Sequence, residues 1–414
     1  MFDPGHEGRS PMSAALPLSL PAQEVTFIHT ADWQLGMTRH FLKGDAQARY
    51  TAARQETIGR IGQLAATHNA EFVLVCGDVF EDRQVSSRVI RRSLDHMQQI
   101  GCPVYLLPGN HDPLDAASIY NSRVFTDHKP DHVHVLGTVG AFQVRPGVQL
   151  IAAPWTSKMP LADTIAQQVS MLGPSEDIRI VAGHGRVDTL APDSDDPTLI
   201  QVAELERAIA DGLIDYVALG DRHSVTDIGD TGRIWYSGAQ EVTNYDHREE
   251  DPGRALVVTL TRGQYMPGVT PARDENTVHV TAEPVGQWAF RTVEHDINSA
   301  DDISGLRRRL DAFDHKANTV VQLALRGSVS ITERSELDAM LEEFSDRFAA
   351  LTFWDLRHDL VIRPDDEDFA EMALTGFIGD AVTELSELAR ATDSQAAVAQ
   401  EALALLFRLA GGSR

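Results

Sequence analysis

The chain has 414 residues, enough for two or three domains of about 150 residues each and for at least one large core. Its 43% hydrophobic and 23% charged residues match globular usage, which excludes wholesale disorder, and no run of about eighteen apolar residues offers a transmembrane helix. The formal charge of −25 predicts repulsion from nucleic acid and anionic membranes unless positive charge is concentrated locally, as bound metal would do.

Residues 1–23 are expected to be a disordered leader. The apolar piece Ala14–Leu20 is short and broken by Pro17, and Asp3 and Glu7 stand where an export signal would carry positive charge. Met12 is a second candidate start. From Val25 onward, short runs rich in Val, Ile and Leu alternate with helical stretches. Strands are predicted at Val25–His29, Phe72–Cys76, Val104–Leu107, Val148–Ala153, Ile178–Ala182 and Ile214–Leu219, closed by Arg233–Ser237 and Leu256–Leu260. Helices are predicted at Asp45–His68, Ser87–Gly101, Leu161–Leu172 and Leu199–Asp211. This reads as an α/β layered domain over residues 24–262, sheet inside and helices outside.

Gly263–Gly286, rich in Pro, Gly and Thr, reads as a connection. A β-α-β-α-β unit follows, with strands Phe290–Ile297, Val320–Arg326 and Thr352–Ile362 and helices at 300–313 and 331–348. It gives a small α+β domain over 263–363. After the acidic break Pro364–Asp368, residues 364–414 form a helical tail. Ile378, Val382, Leu385 and Ala389 share one helical face, as do Val398, Ala402, Leu405, Leu406 and Leu409.

Polar clusters directly follow the predicted strands, at the edge where open α/β sheets build their sites. HTADWQLG holds Asp32 and Gln34, CGDVFED holds Asp78, and LPGNHDP holds Asn110, His111 and Asp112. AGHGRVD holds His184, and LGDRHS holds Asp221 and His223. Taken singly these are weak: Gly-Asp after a strand is ordinarily a turn, and a lone histidine is ordinarily a satisfied hydrogen-bonding group. His29 is read as structural or supporting. Nine metal-competent side chains brought to one edge are a different matter, because unpartnered buried polar groups are expensive.

That ordered set resembles the calcineurin-like metallophosphoesterase superfamily, whose pattern is D-x-H, GD, GNH(D/E), a lone H and GHxH. The flanking text HTADWQLG, GDVFE, VYLLPGNHDP and IWYSGAQE resembles most closely its SbcD-type DNA-repair exonuclease subunits. The resemblance covers 24–262; the capping domain and helical tail are similar in layout only. It implies a two-metal site. Asp32, Gln34, Asp78 and His223 would surround one divalent cation and Asp78, Asn110, His184 and Asp221 the other, with Asp78 bridging. Gln34 stands where the family has histidine, and Asp221 replaces the first histidine of GHxH. Five oxygen donors and two histidines favour Mn²⁺, with Mg²⁺ the alternative, over zinc.

The resemblance implies phosphodiester hydrolysis, in which cations about 4 Å apart bring a water and the scissile phosphate together. His111 would protonate or stabilise the leaving alkoxide, with Asp112 orienting its ring. Implied partners are DNA and an SbcC-type, SMC-like ATPase, the tail helices being the candidate docking element. A homodimer through helices within 86–125 is left open, and no membrane partner is expected. Arg88, Arg91 and Arg92 on one helix face and the run Arg307–Arg309 are the local basic clusters, the latter equally a solvated face. Two cysteines, Cys76 and Cys102, cannot build a disulfide framework and favour a reducing cytoplasm. Two readings compete with a nuclease subunit: a stand-alone phosphoesterase on cyclic nucleotides or other small diesters, and a non-catalytic scaffold for DNA or the ATPase.

Overall fold

The computed structural model describes residues 23–263, 276–362 and 376–389, with isolated positions beyond. Of the leader expected at 1–23, residues 1–22 lie outside the described residues and Gln23 opens the first strand; the break at 364–368 and most of the second tail helix also lie outside.

In chain order, the first half runs β1 (Gln23–Thr30), α1 (Ala46–Thr67), β2 (Val73–Cys76), α2 (Ser87–Met97), β3 (Val104–Leu107), α3 (Arg123–Thr126) and β4 (Val133–Val135). The second runs β5 (Gly140–Arg145), β6 (Val148–Ala152), α4 (Thr164–Ser170), β7 (Ile178–His184), α5 (Val202–Ala210), β8 (Tyr216–Gly220), β9 (Val225–Ile228) and β10 (Ile234–Ser237). Two further strands, β11 (Arg254–Arg262) and β12 (Thr277–Pro284), return to the first sheet. The result is two six-stranded sheets, ordered β12-β11-β1-β2-β3-β4 and β5-β6-β7-β8-β10-β9.

The sheets pack face to face through Phe27, Leu74, Leu150, Ile180, Tyr216 and Val258. Their outer faces are covered by α1 and α2, which bring Ile58 and Leu94 to Ile28 and Val75, and by α4 and α5, which bring Ile165 and Leu205 to Val181 and Val217. Strands buried on both faces read as unbroken apolar runs, which is why β2, β3, β7 and β8 were legible in sequence. β1–β4 are parallel, as are β6, β7, β8 and β10. Parallel strands put their carboxyl ends on one edge, and each sheet delivers its polar loops there.

The segment expected as a connection is only partly one. Thr277–Pro284 pairs antiparallel with β11 along its whole length, so the first sheet continues past residue 262. Its TVHVTAEP alternation lies on an exposed edge and carries little apolar signal.

The small unit that follows is parallel: β13 (Ala289–Ile297), α6 (Ala300–Asp311), β14 (Thr319–Val329), α7 (Ile331–Ser345), β15 (Ala350–Phe353) and β16 (Asp359–Ile362). The single strand expected at Thr352–Ile362 is two. β15 pairs with Val320–Leu323 and β16 with Arg326–Val329, and the chain loops out between them at 354–358. The unit docks on the first through Tyr50, Val242 and Tyr245 against Trp288, Phe290 and Val320. α8 (Phe377–Ala389) carries the first expected tail stripe, with Val382 buried and Phe377 exposed. No helix among the described residues is long and apolar enough to cross a membrane.

Candidate metal centre

Beyond the ends of β1 and β2 the two segments stay side by side. Asp32 N donates to Gly77 O (3.1 Å), Gln34 N to Asp78 O (2.8 Å) and Leu35 N to Val79 O (2.9 Å). The backbone is no longer that of a strand: Asp32 (φ 52°), Gln34 (42°), Asp78 (52°) and Asp221 (97°) all take left-handed conformations. Such a residue costs about 1–3 kcal/mol and persists where the surroundings over-determine it. Close approach also depends on two glycines. A Cβ on Gly77 would stand 2.1 Å from His184 Nδ1, and one on Gly109 2.3 Å from Asp78 Oδ1.

Asp78, Asn110 and His184 form one group. In the neutral ring His184 donates Nδ1–H to Cys76 O (2.8 Å), leaving the Nε2 lone pair 3.4 Å from Asp78 Oδ1 and 3.8 Å from Asp221 Oδ1. The Asn110 amide sets one polar atom 2.8 Å from His184 Nε2 and 3.1 and 3.2 Å from the two Asp78 oxygens. With its nitrogen turned in, the amide donates to these acceptors. With its oxygen turned in, three sets of lone pairs converge at the spacing of ligands around one cation.

The second group is Asp32, Gln34 and His223. His223 Nε2 lies 3.2 Å from Gln34 Nε2 and 3.9 Å from Asp32 Oδ1, while both Asp32 oxygens accept from Asp221 N (3.2 and 3.1 Å). Gln34 Oε1 is buried without a hydrogen-bond partner, a state a cation would relieve. Ligand atoms of Asp32, Asp78 and His184 lie within 4.8 Å of one another, joining the two groups.

The electrostatics point the same way. Burial pushes Asp32 up to about 7, against the pull of His223 and His184. Burial also drives Asp78 up, but His184 and then His111 outweigh it and leave its pKa below the ordinary value. Burial disfavours charge on His184, yet Asp78, Asp32 and Asp221 raise its pKa well above normal. A carboxylate that retains its proton, Asp32, beside an imidazole that attracts one, His184, describes a pocket short of positive charge. The orphan oxygen, the convergent lone pairs and the oxygen-rich donor set fit divalent cations.

His111 sits at the rim with its side chain 41% exposed, its N–H donating to Asp78 Oδ1 (2.9 Å) and its Nε2 3.9 Å from Asp78 Oδ2. The expectation that Asp112 orients this ring is corrected. Asp112 is fully buried and accepts from Gly109 N (2.8 Å), Phe80 N (3.1 Å) and Tyr120 OH (2.6 Å). Three donors converging on one carboxylate fold the GNHD loop, and the Glu81 carbonyl, 2.6 Å from His111 Nδ1, orients the ring instead.

Two other supporting residues, Trp155 and Arg54, had no signal in sequence. Trp155 ties two ligand-bearing segments together: its N–H donates to Pro108 O (3.1 Å), its carbonyl accepts from Leu114 N (2.8 Å) and its indole donates to His184 O (2.6 Å). Arg54 is fully buried and donates from Nε and Nη2 to the backbone carbonyls of Asp32 and Trp33, on the stretch between Asp32 and Gln34. His29 is a supporting group, bonded to Tyr216 OH (3.2 Å) and Leu219 O (3.1 Å).

Sequence comparison places this geometry in a family. Residues 25–252, just over half of the chain, match the model of the calcineurin-like phosphoesterases. Among curated proteins, the SbcD component of nuclease SbcCD from Escherichia coli (strain K12) is 31% identical over 99 residues, 23% of each chain. The uncharacterized metallophosphoesterase YhaO of Bacillus subtilis is 24% identical over 97 residues, 22% of this chain and 24% of its own. The match thus spans about a quarter of these relatives' length. Among solved structures, a dimetal phosphatase from Danio rerio aligns over 61% of this chain and 98% of its own, with a TM-score of 0.35 and 13% identity. On the family match, which takes in every residue of the site just described, the chain belongs to the calcineurin-like phosphoesterase family.

Proposed function

We propose that this metallophosphoesterase is a two-metal phosphodiesterase acting on DNA ends, the nuclease subunit of an SbcCD-like complex. The observation that carries the reading is the pair of donor groups joined through Asp78, Asp32–Gln34–His223 on one side and Asn110–His184–Asp221 on the other. Two divalent cations held there would activate a water and neutralise charge on the phosphoryl oxygens. The mix of carboxylate, amide and imidazole donors suits Mn²⁺ first and Mg²⁺ second.

His111, oriented by Glu81 O, aims Nε2 over Asp78 and is placed to hold the proton that the leaving oxygen takes up. For DNA, the overall charge of −25 is an obstacle that local features offset. Arg88, Arg91 and Arg92 are all exposed on α2, just beyond the loop that carries Glu81. The run at 307–309 is a poorer candidate, because Arg307 pairs with Glu343 (2.9 Å) and Arg309 donates to Glu294 O (2.6 Å). The partial likeness to the SbcD component of nuclease SbcCD supports a DNA substrate and an SMC-like ATPase partner.

The test is Mn²⁺-dependent hydrolysis of end-labelled duplex DNA, run beside a small cyclic diester. His111→Ala should bind Mn²⁺ as the wild type does and lose about 10²–10⁴-fold in rate. Metal loss in that variant refutes the role given to His111, and cleavage of the small diester alone refutes the DNA substrate.

A further inference from the structure

The residues that hold His223 also carry the small unit, and this double duty follows from one seven-residue segment, Thr243–Glu249. On its inner side Glu249 is 2% exposed, and its Oε2 accepts from Thr243 N (2.8 Å) and Asn244 N (2.6 Å). Its Oε1 faces the Thr243 hydroxyl (3.0 Å) and lies 3.3 Å from His223 Nδ1, and Thr243 Oγ1 is 2.6 Å from the same ring nitrogen. A carboxylate only accepts, so the Thr243 hydroxyl must donate to it. The Thr243 oxygen must then accept from His223 Nδ1–H. That chain fixes the tautomer and leaves the Nε2 lone pair facing Gln34 and Asp32, the arrangement a metal-ligating imidazole needs.

On its outer side the same segment is bound to the small unit. Asp246 N donates to Phe290 O (3.2 Å) and Asp246 Oδ1 accepts from Thr292 N (3.0 Å). The Tyr245 hydroxyl meets Thr352 Oγ1 (3.4 Å), and the His247 ring stacks on Trp354 at 4.5 Å and 20°. Trp354 belongs to the loop that interrupts the pairing of β14, so the unit reaches out to make this contact.

We propose that Glu249 is a positioning residue for His223 and that docking of the small unit on Thr243–Glu249 sets the metal affinity of the His223 side of the centre. The proposal rests on the two-metal reading above. In metal-free protein the neutral His223 ring carries its proton on Nδ1. Glu249→Gln turns an amide N–H toward Thr243 and reverses the chain of donors, so the proton moves to Nε2. Thr243→Val breaks the chain while leaving the Glu249 carboxylate and its bonds to the Thr243 and Asn244 amides in place. Trp354→Ala leaves the chain intact and loosens only the docking.

The experiment is Mn²⁺ titration of the full-length chain, read by electron paramagnetic resonance, with the His223 tautomer read by ¹⁵N NMR of the metal-free protein. The wild type should bind two ions. Glu249→Gln should weaken one of them by about 10–100-fold and show the Nε2–H tautomer. Thr243→Val should weaken the same ion. Trp354→Ala should weaken it by about two- to tenfold, the scale of one aromatic contact, and Trp354→Phe should restore it. Two ions bound at wild-type affinity in Glu249→Gln, or an unchanged tautomer, overturns the positioning role. Wild-type affinity in Trp354→Ala overturns the coupling. A wild-type chain that binds no Mn²⁺ overturns the two-metal reading and takes this proposal with it.

Discussion

Arg54→Met is the substitution whose consequences the structure lets us work out most fully. The guanidinium is completely buried, yet no carboxylate lies within ion-pairing distance among the described residues. Its Nε and Nη2 donate to Trp33 O (3.1 and 2.9 Å), and Nη2 also reaches Asp32 O (3.4 Å). Nη1 meets Tyr50 OH (2.9 Å) and the carbonyls of Glu241 and Val242 (both 3.3 Å). Methionine keeps most of the stem's packing but strands the oxygens of Asp32, Trp33 and Glu241; Val242 O still accepts from Tyr50 OH (2.7 Å).

Three orphaned buried acceptors at about 1–3 kcal/mol each give a gross penalty of about 3–9 kcal/mol. Removing a buried charge returns several kcal/mol. A net loss of about 2–4 kcal/mol is expected. The loss falls on the strained stretch between Asp32 and Gln34, so metal binding should weaken beyond what global unfolding explains. Urea denaturation of the metal-free chain gives the first quantity and Mn²⁺ titration under native conditions the second. A variant within about 0.5 kcal/mol of wild type, binding Mn²⁺ normally, would refute the idea that Arg54 holds the loop.

Two further expectations are simpler. Burial lowers the His29 pKa from 6.5 to about 3, opposed by its bond to Leu219 O. Below pH 6.5 the unfolded chain takes up a proton that the folded chain refuses, so this group makes stability fall as pH drops, by about 2 kcal/mol at pH 5. His29→Gln, which keeps one donor and one acceptor, should flatten that slope in denaturant melts between pH 7 and 4; an unchanged slope places the titration elsewhere. Gly77→Ala should cost at least about 2 kcal/mol and abolish Mn²⁺ binding, because its Cβ meets His184 Nδ1 at 2.1 Å at a left-handed φ of 89°. Normal binding by this variant would mean that His184 can move aside.

What could be read from the sequence depended on whether a residue's role is local. Asp32, Asp78, Asn110, His184, Asp221 and His223 each follow an apolar run, and those runs form the strands that bring them together. Edge strands were missed: β4, β5, β9 and β12 have exposed or half-exposed faces and no apolar run to betray them. Positioning residues were missed for a different reason. Glu249 lies in the charged run HREED, which reads as solvent-facing, and only the fold buries it against His223. Arg54 occurs mid-helix among polar neighbours, where nothing announces a buried guanidinium. Asp112 misled because adjacency to His111 suggested contact, whereas the turn sends consecutive side chains to opposite sides.

The centre takes Asp32, Asp78 and Asn110 from loops of one sheet and His184, Asp221 and His223 from the other. Cations shared across that seam would cross-link layers otherwise joined largely by apolar contact. At the far edge the layers are tied by Arg145, which pairs with Glu71 and donates to Glu24 O (2.6 Å), and these bonds need no metal. Chelation would therefore unfasten the sandwich from one end. Resistance to unfolding would climb by about 1.4 kcal/mol per bound ion for each tenfold rise in free cation above its dissociation constant. The availability of metal would thus regulate the lifetime of the folded chain as well as its chemistry.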